Sequence, residues 1–221
     1  MDILPFAPEF GINTAFSWIS SLAFSPDGSI LAGGGAQPNM GVLWDTSTGQ
    51  EILTLPPHVA PVTALAFSPD GTIIACASGN FDLRSVTTLV SGREPFTSIA
   101  FSADGMFLAG GAFARQNGVR LWDMTTRSPA EPLDNRASDI YSLAFGPDGK
   151  TLIGGLGDNH DKTGAVLMWD VITGQVCRTL FSNIESYDGR DGVIYAVAGT
   201  KDGRTVAAGG GDGAIFLWIT E

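Results

Sequence analysis

Short apolar runs alternate with clusters of Gly, Pro, Asp, Ser and Thr along nearly the whole chain. Runs of this length between turn-forming clusters predict β-strands. One unit recurs. Leu22-Ala23-Phe24-Ser25-Pro26-Asp27-Gly28 returns at 65–71, at 99–105 with Ala103 for proline, and at 143–149 with Gly146 for serine, while 197–203 is a worn fifth copy. The Asp-Gly pairs starting at 27, 70, 104, 148 and 202 lie 43, 34, 44 and 54 residues apart. An Asp-Gly pair between apolar runs predicts a hairpin, because glycine takes the positive φ of a tight turn. Each copy then carries a second apolar run ending in small residues, such as Ile30–Gly34 and Phe107–Gly111, which let neighbouring sheets approach.

A third run places tryptophan at a fixed position, as Leu43-Trp44-Asp45, Leu121-Trp122-Asp123, Leu167-Met168-Trp169-Asp170 and Leu217-Trp218-Ile219, with Arg84 in its place in the second copy. A fourth strand is expected after Thr-Gly turns at Glu51–Leu55 and Val176–Leu180. From about Trp18 onward the chain therefore resembles the WD-repeat β-propellers, and specifically their bacterial type with LAFSPDG hairpins. The resemblance implies an all-β, five-bladed propeller of mostly four-stranded antiparallel blades, with the first strand of each copy lining a central channel. The blades are expected at 19–55, 62–94, 96–133, 140–180 and 194–219 of a single domain spanning 1–221. No fourth strand follows Ile219, so the stretch Asp2–Phe6 is expected to add to the last blade and close the ring. The second copy has little room for a fourth strand between Val86 and Pro95, and Pro129 and Pro132 weaken the third copy's outer strand. Only His58 sits where the family's structural histidine falls. The family's network of histidine, serine, tryptophan and aspartate is thus largely missing, leaving packing to hold the blades.

Composition narrows the functional classes. Glycine (29) and proline (12) are abundant and helix formers scarce, in keeping with turns and strands. The formal charge of −11 opposes a phosphate backbone or anionic membrane, so nucleic acid is not an expected partner. No basic and apolar leader opens the chain and no long apolar run is present, so no membrane insertion and a cytoplasmic location are expected. Cys76 and Cys177 lack CxxC spacing and are expected to be one buried and one surface thiol.

No nucleophile elbow accompanies His58 or His160. Five-bladed propellers also occur among glycosidases, which place carboxylates on the channel wall. Here the expected inner strands 19–24, 62–67, 96–101, 140–145 and 194–199 hold no Asp or Glu. No catalytic, cofactor or metal residue is assigned. The loop Gly157–Gly164, with Asp158, His160 and Asp161, keeps open an alternative reading as a ligand- or metal-binding, even catalytic, propeller. The leading reading is a non-catalytic protein-interaction scaffold, a monomer or a subunit of a larger assembly. Trp18, Met40, Phe113, Arg115, Tyr141, Tyr187, Arg190 and Tyr195 are the expected contacts, since aromatics and arginine dominate interface anchors. The connections 127–139 and 181–193 form an acidic lip suited to a basic partner segment.

Overall fold

The computed structural model describes residues 11–12, 14–58, 60–78, 82–84, 88–91, 96–113, 118–131, 133, 138–158, 162–182 and 192–220. The described residues contain strands and turns and no helix. The first blade is an antiparallel sheet of β1 (Trp18–Phe24), β2 (Ile30–Ala36), β3 (Gly41–Asp45) and β4 (Glu51–Thr54), in that order. The second holds two pairs, β5 (Val62–Phe67) with β6 (Ile74–Ser78), and β7 (Asp82–Arg84) with β8 (Thr88–Ser91). In the third, β9 (Phe96–Phe101), β10 (Phe107–Ala112) and β11 (Val119–Asp123) end on the two-residue β12 (Ser128–Pro129). The fourth has β13 (Asp139–Phe145), β14 (Thr151–Asp158), β15 (Thr163–Asp170) and β16 (Val176–Ser182). The fifth has three strands, β17 (Ile194–Gly199), β18 (Thr205–Gly210) and β19 (Ile215–Ile219).

Each hairpin turn is built by the repeat's own side chains. Ser25 Oγ donates to Asp27 at 2.6 Å and accepts the Ile30 N–H at 2.9 Å, while Asp27 also accepts the Ser29 N–H at 3.0 Å. The pattern recurs with Ser68 and Asp70, Ser102 and Asp104, and Thr200 and Asp202. The turn glycines 28, 71, 105, 149 and 203 all have φ between +66° and +74°, which a side chain would strain. The third-strand aspartates cap the next turn in the same way: Asp45, Asp123 and Asp170 each accept two backbone N–H groups.

Four apolar clusters fill the four joints between consecutive blades. The buried tryptophans Trp44 and Trp169 pack against glycines 33 and 154, where a Cβ would meet the ring at 2.7 and 2.6 Å. A second set of glycines receives a branched side chain from the next blade. A Cβ on Gly34 would stand 2.5 Å from Val62, one on Gly111 2.5 Å from Ile140, and one on Gly155 2.7 Å from Ile194. The expected small residues at the ends of the second strands are therefore the sockets of the joints.

Among the described residues the two ends of the series do not meet. Gly209, the socket of the fifth blade, has nothing within 4 Å of its would-be Cβ. At the opposite end, Leu22 is 59% exposed, whereas its counterparts Leu65, Ile99 and Leu143 are buried. Phe24 and Ile19 share that open face, and Ile215, Leu217 and Ile219 are exposed on the last strand. The described residues form an open five-bladed arc, and the closed ring expected from the repeat count is not among their contacts. An uncovered apolar face stands at each end of the described residues, and the closing strand expected at residues 2–6 lies outside them. Two smaller expectations change as well. The second blade does carry a fourth strand, β8, and β13 begins one residue early, bringing the carboxylate of Asp139 onto an inner strand.

Candidate functional site

All five inner strands share one irregularity. Against the second strand, the pairing slips by one residue at Ser20, Thr63, Thr97, Tyr141 and Tyr195. A bulge of this kind re-aims its extra side chain. In the first three blades that side chain is a hydroxyl that crosses to the next blade. Ser20 Oγ donates to the carbonyls of Gly34 and Val62. Thr63 Oγ1 donates to Phe96 O at 2.6 Å, and Thr97 Oγ1 to Ile140 O at 2.5 Å. The following residue accepts in return: Ser21, Ser98 and Ser142 take the N–H groups of Leu65, Leu143 and Val197 at 2.9, 3.1 and 3.1 Å. Ala64 and Ala196 interrupt this second series. The blades are thus pinned by hydroxyls as well as packed, which the sequence reasoning missed. The signal was present as Ser or Thr a few residues before each Leu-Ala-Phe.

In the fourth and fifth blades the bulge residue is tyrosine, and the surface changes character. The Phe113 and Tyr141 rings meet edge to face at 5.6 Å and 74°, and Tyr141 and Tyr195 at 5.1 Å and 80°. Edge-to-face pairing at this spacing is the favoured geometry for aromatic rings. Three of the expected contact residues thereby form one row across three blades, at the rim where second strands end and first strands begin. Phe113 is 42% and Tyr195 44% exposed, with Tyr141 half-buried between them. Trp18, 55% exposed, and the half-buried Met40 belong to the first blade, and Trp18 makes no ring contact with the row among the described residues. Arg115, Tyr187 and Arg190 lie outside the described residues, as do His160 and Asp161 of the 157–164 loop and most of the acidic lip.

Eight carboxylates lie on the opposite rim, in or beside the turns, at positions 27, 45, 70, 104, 123, 148, 170 and 202. Hydrogen bonds from Ser25 and then from the Ser29 backbone and hydroxyl pull Asp27 down to about 2. Asp70 and Asp202 are lowered first by Ser68 and Thr200, and Asp45 by Ser47. Backbone N–H groups lower Asp123 and Asp170, chiefly those of Thr126 and Thr173. Burial opposes ionisation of Asp148, but donors from Thr151 and Lys150 outweigh it. These acids are occupied in holding turns and stay ionised, the opposite of a carboxyl tuned for proton transfer.

Of the two thiols, Cys177 is exposed and Cys76 is enclosed. Cys76 Sγ lies 3.2 Å from His58 Nε2, and burial pushes its thiol up to about 12, so the pair supplies no thiolate. Among the described residues no three His, Cys, Asp or Glu side chains converge as a metal site would require.

Comparison with known proteins accords with this geometry. The profile of the WD domain, G-beta repeat, matches residues 12–45, 49–84, 83–123 and 181–218. The zebrafish (Danio rerio) Intraflagellar transport protein 122 homolog is 34% identical over 82 residues, 37% of this chain and 6% of that protein. The homologs from Xenopus tropicalis and Mus musculus are each 32% identical over 88 residues, 40% of this chain and 6% of theirs. The chain thus spans a small fraction of these relatives. Among solved structures, Kuenenia stuttgartiensis Hydrazine Synthase superposes with a TM-score of 0.75 at 19% identity, covering 92% of this chain and 58% of that one, a likeness of fold.

Proposed function

This chain belongs to the WD domain, G-beta repeat family, and we propose that it is a non-catalytic platform for other proteins, with the Phe113–Tyr141–Tyr195 row as its docking surface. The observation that carries the reading is that row. The blades hold three rings edge to face and partly exposed, on or beside strands fixed by cross-blade hydroxyls. Rigid aromatic surface of this kind is what interface anchors are made of. The net charge of −11 favours a partner segment bearing Arg or Lys, whose cations also stack on aromatic faces. The turn-bound acids and the enclosed thiol favour binding over chemistry. The likeness to an intraflagellar transport protein favours a subunit of a larger assembly.

A photo-crosslinking residue at position 195, compared with one at the exposed outer-strand residue Glu51, tests this in the native cell. Position 195 is expected to yield a discrete protein adduct that is lost in a Phe113→Ala, Tyr141→Ala background. Identical products from both positions, or an adduct indifferent to that background, would sink the proposal.

A further inference from the structure

Every inner strand but one ends its apolar run in phenylalanine: Phe24, Phe67, Phe101 and Phe145 are followed in the fifth copy by Gly199. At the first three joints that ring packs at the edge of the apolar cluster, as Phe67, Phe101 and Phe145. At the fourth joint it is absent. Ile153 stands where the other blades have Ala32, Ala75 and Ala109, and Met168 where they have Leu43 and Leu121, so the joint is only partly refilled.

What remains is a cavity of about 210 Å³, walled by Ile153, Met168 and Val206 and entered between the turns that hold Asp148, Thr200 and Asp202. The corresponding groove between the second and third blades is larger, about 520 Å³, and runs along the equivalent turns with Phe101 in its lining and no residue of the Ile153 or Met168 positions. Here it continues past Gly199 to Ile153 and Met168. The Gly199 backbone tolerates a side chain: its φ is ordinary, and a Cβ would meet only the Ile153 Cδ1 methyl, at 3.3 Å.

We infer that this cavity is a socket for one aromatic side chain of a partner protein, presented next to a Lys or Arg. The ring would occupy the place that the repeat fills with its own phenylalanine at the other joints. The neighbouring cation is argued from the mouth, which Asp148 and Asp202 line with carboxylates that their hydrogen bonds keep ionised, whereas Lys150, Lys201 and Arg204 of the same turns are not among the lining residues. The inference deepens the platform reading by naming an anchor on the rim opposite the aromatic row, and it rests on that reading only for the source of the ring.

The test reads the cavity itself. In the full chain with labelled methyl groups, Ile153 Cδ1 and Met168 Cε are followed by NMR during titration with the dipeptides Ac-Phe-Lys-NH₂ and Ac-Leu-Lys-NH₂. The phenylalanine probe is expected to move both methyls saturably, with at least about fivefold tighter binding than the leucine probe. The double variant Ile153→Ala, Gly199→Phe restores the Ala–Phe pair of the other joints and is expected to lose the response. Silent methyls in the native chain, equal response to both probes, or a folded double variant that still responds would each overturn the socket. None of these results bears on crosslinking at position 195, so the two proposals fail separately.

Discussion

Alanine placed at two equivalent glycines should have opposite effects. Gly111 and Gly209 close the second strands of the third and fifth blades, and neither has a positive φ, so neither substitution strains the backbone. At 111 the new Cβ would lie 2.5 Å from Ile140 Cγ2 and 3.0 Å from its Cβ, about 1 Å inside ordinary contact. Both groups belong to backbones held in sheets, so the joint must open. Overpacking of this degree costs about 1–3 kcal/mol, offset by the ~0.4–1 kcal/mol that Gly→Ala gains by restricting the unfolded chain. The net expectation for Gly111→Ala is a loss of about 1–2 kcal/mol, or roughly 2–8 °C in Tm at this chain length. At 209 nothing lies within 4 Å, so only the gain remains and Tm should rise by about 1–4 °C. Thermal and urea unfolding followed by circular dichroism measure both. Equal destabilisation at 111 and 209 would refute the open arc, because it would mean that a neighbouring blade covers the fifth socket.

Thr97→Val deletes the hydroxyl that joins the third and fourth blades while keeping the side chain's shape; it should cost about 1–2 kcal/mol in urea unfolding, and Thr97→Ser should restore most of it. Native protein should show rapid thiol labelling at the exposed Cys177 alone, with Cys76 reacting only on unfolding; fast modification of both would contradict the burial. The turn aspartates have folded pKa values below their ordinary 3.8, so their contribution is complete above about pH 4 and is lost as the pH falls toward 2. Tm should therefore be flat from pH 6 to 8 and drop below pH 4, whereas a decline beginning near pH 6 would implicate other groups. Phe113→Ala with Tyr141→Ala should abolish the adduct formed from position 195 while lowering Tm by only a few degrees.

The turns were legible because they are local: Asp27, Gly28 and Ser25 interact within a few residues, and the repeat spells that chemistry out each time. The sockets were half legible, since the glycines of 33–35 announced close approach without saying which set lies under tryptophan and which receives the next blade. The joints themselves were not, because Thr97 and Ile140 meet across 43 residues of sequence. The cavity was hidden for a related reason. Gly199 reads as wear in a fading copy, and its meaning appears only opposite Ile153. The aromatic row was named residue by residue, but its continuity depended on bulges, which no hydrophobic alternation reveals. The closed ring rested on adding Asp2–Phe6 to the last blade, and those residues lie outside the described ones.

The hydroxyl pins also give the molecule a direction of unravelling. Two residues, Ser20 and Ser21, reach forward from the first blade, Thr63 alone from the second, Thr97 and Ser98 from the third, and Ser142 from the fourth, while Ala196 offers no hydroxyl on the fifth. In a stack where each unit couples only to its neighbours, the least-tethered end opens first and the opening travels inward. Amide protons of β18 and β19 should therefore exchange earliest, with those of the third and fourth blades next to Thr97 and Ser98 exchanging last. A partner that clasps the fifth blade would act as a stopper on that zipper, lengthening the lifetime of blades it never touches.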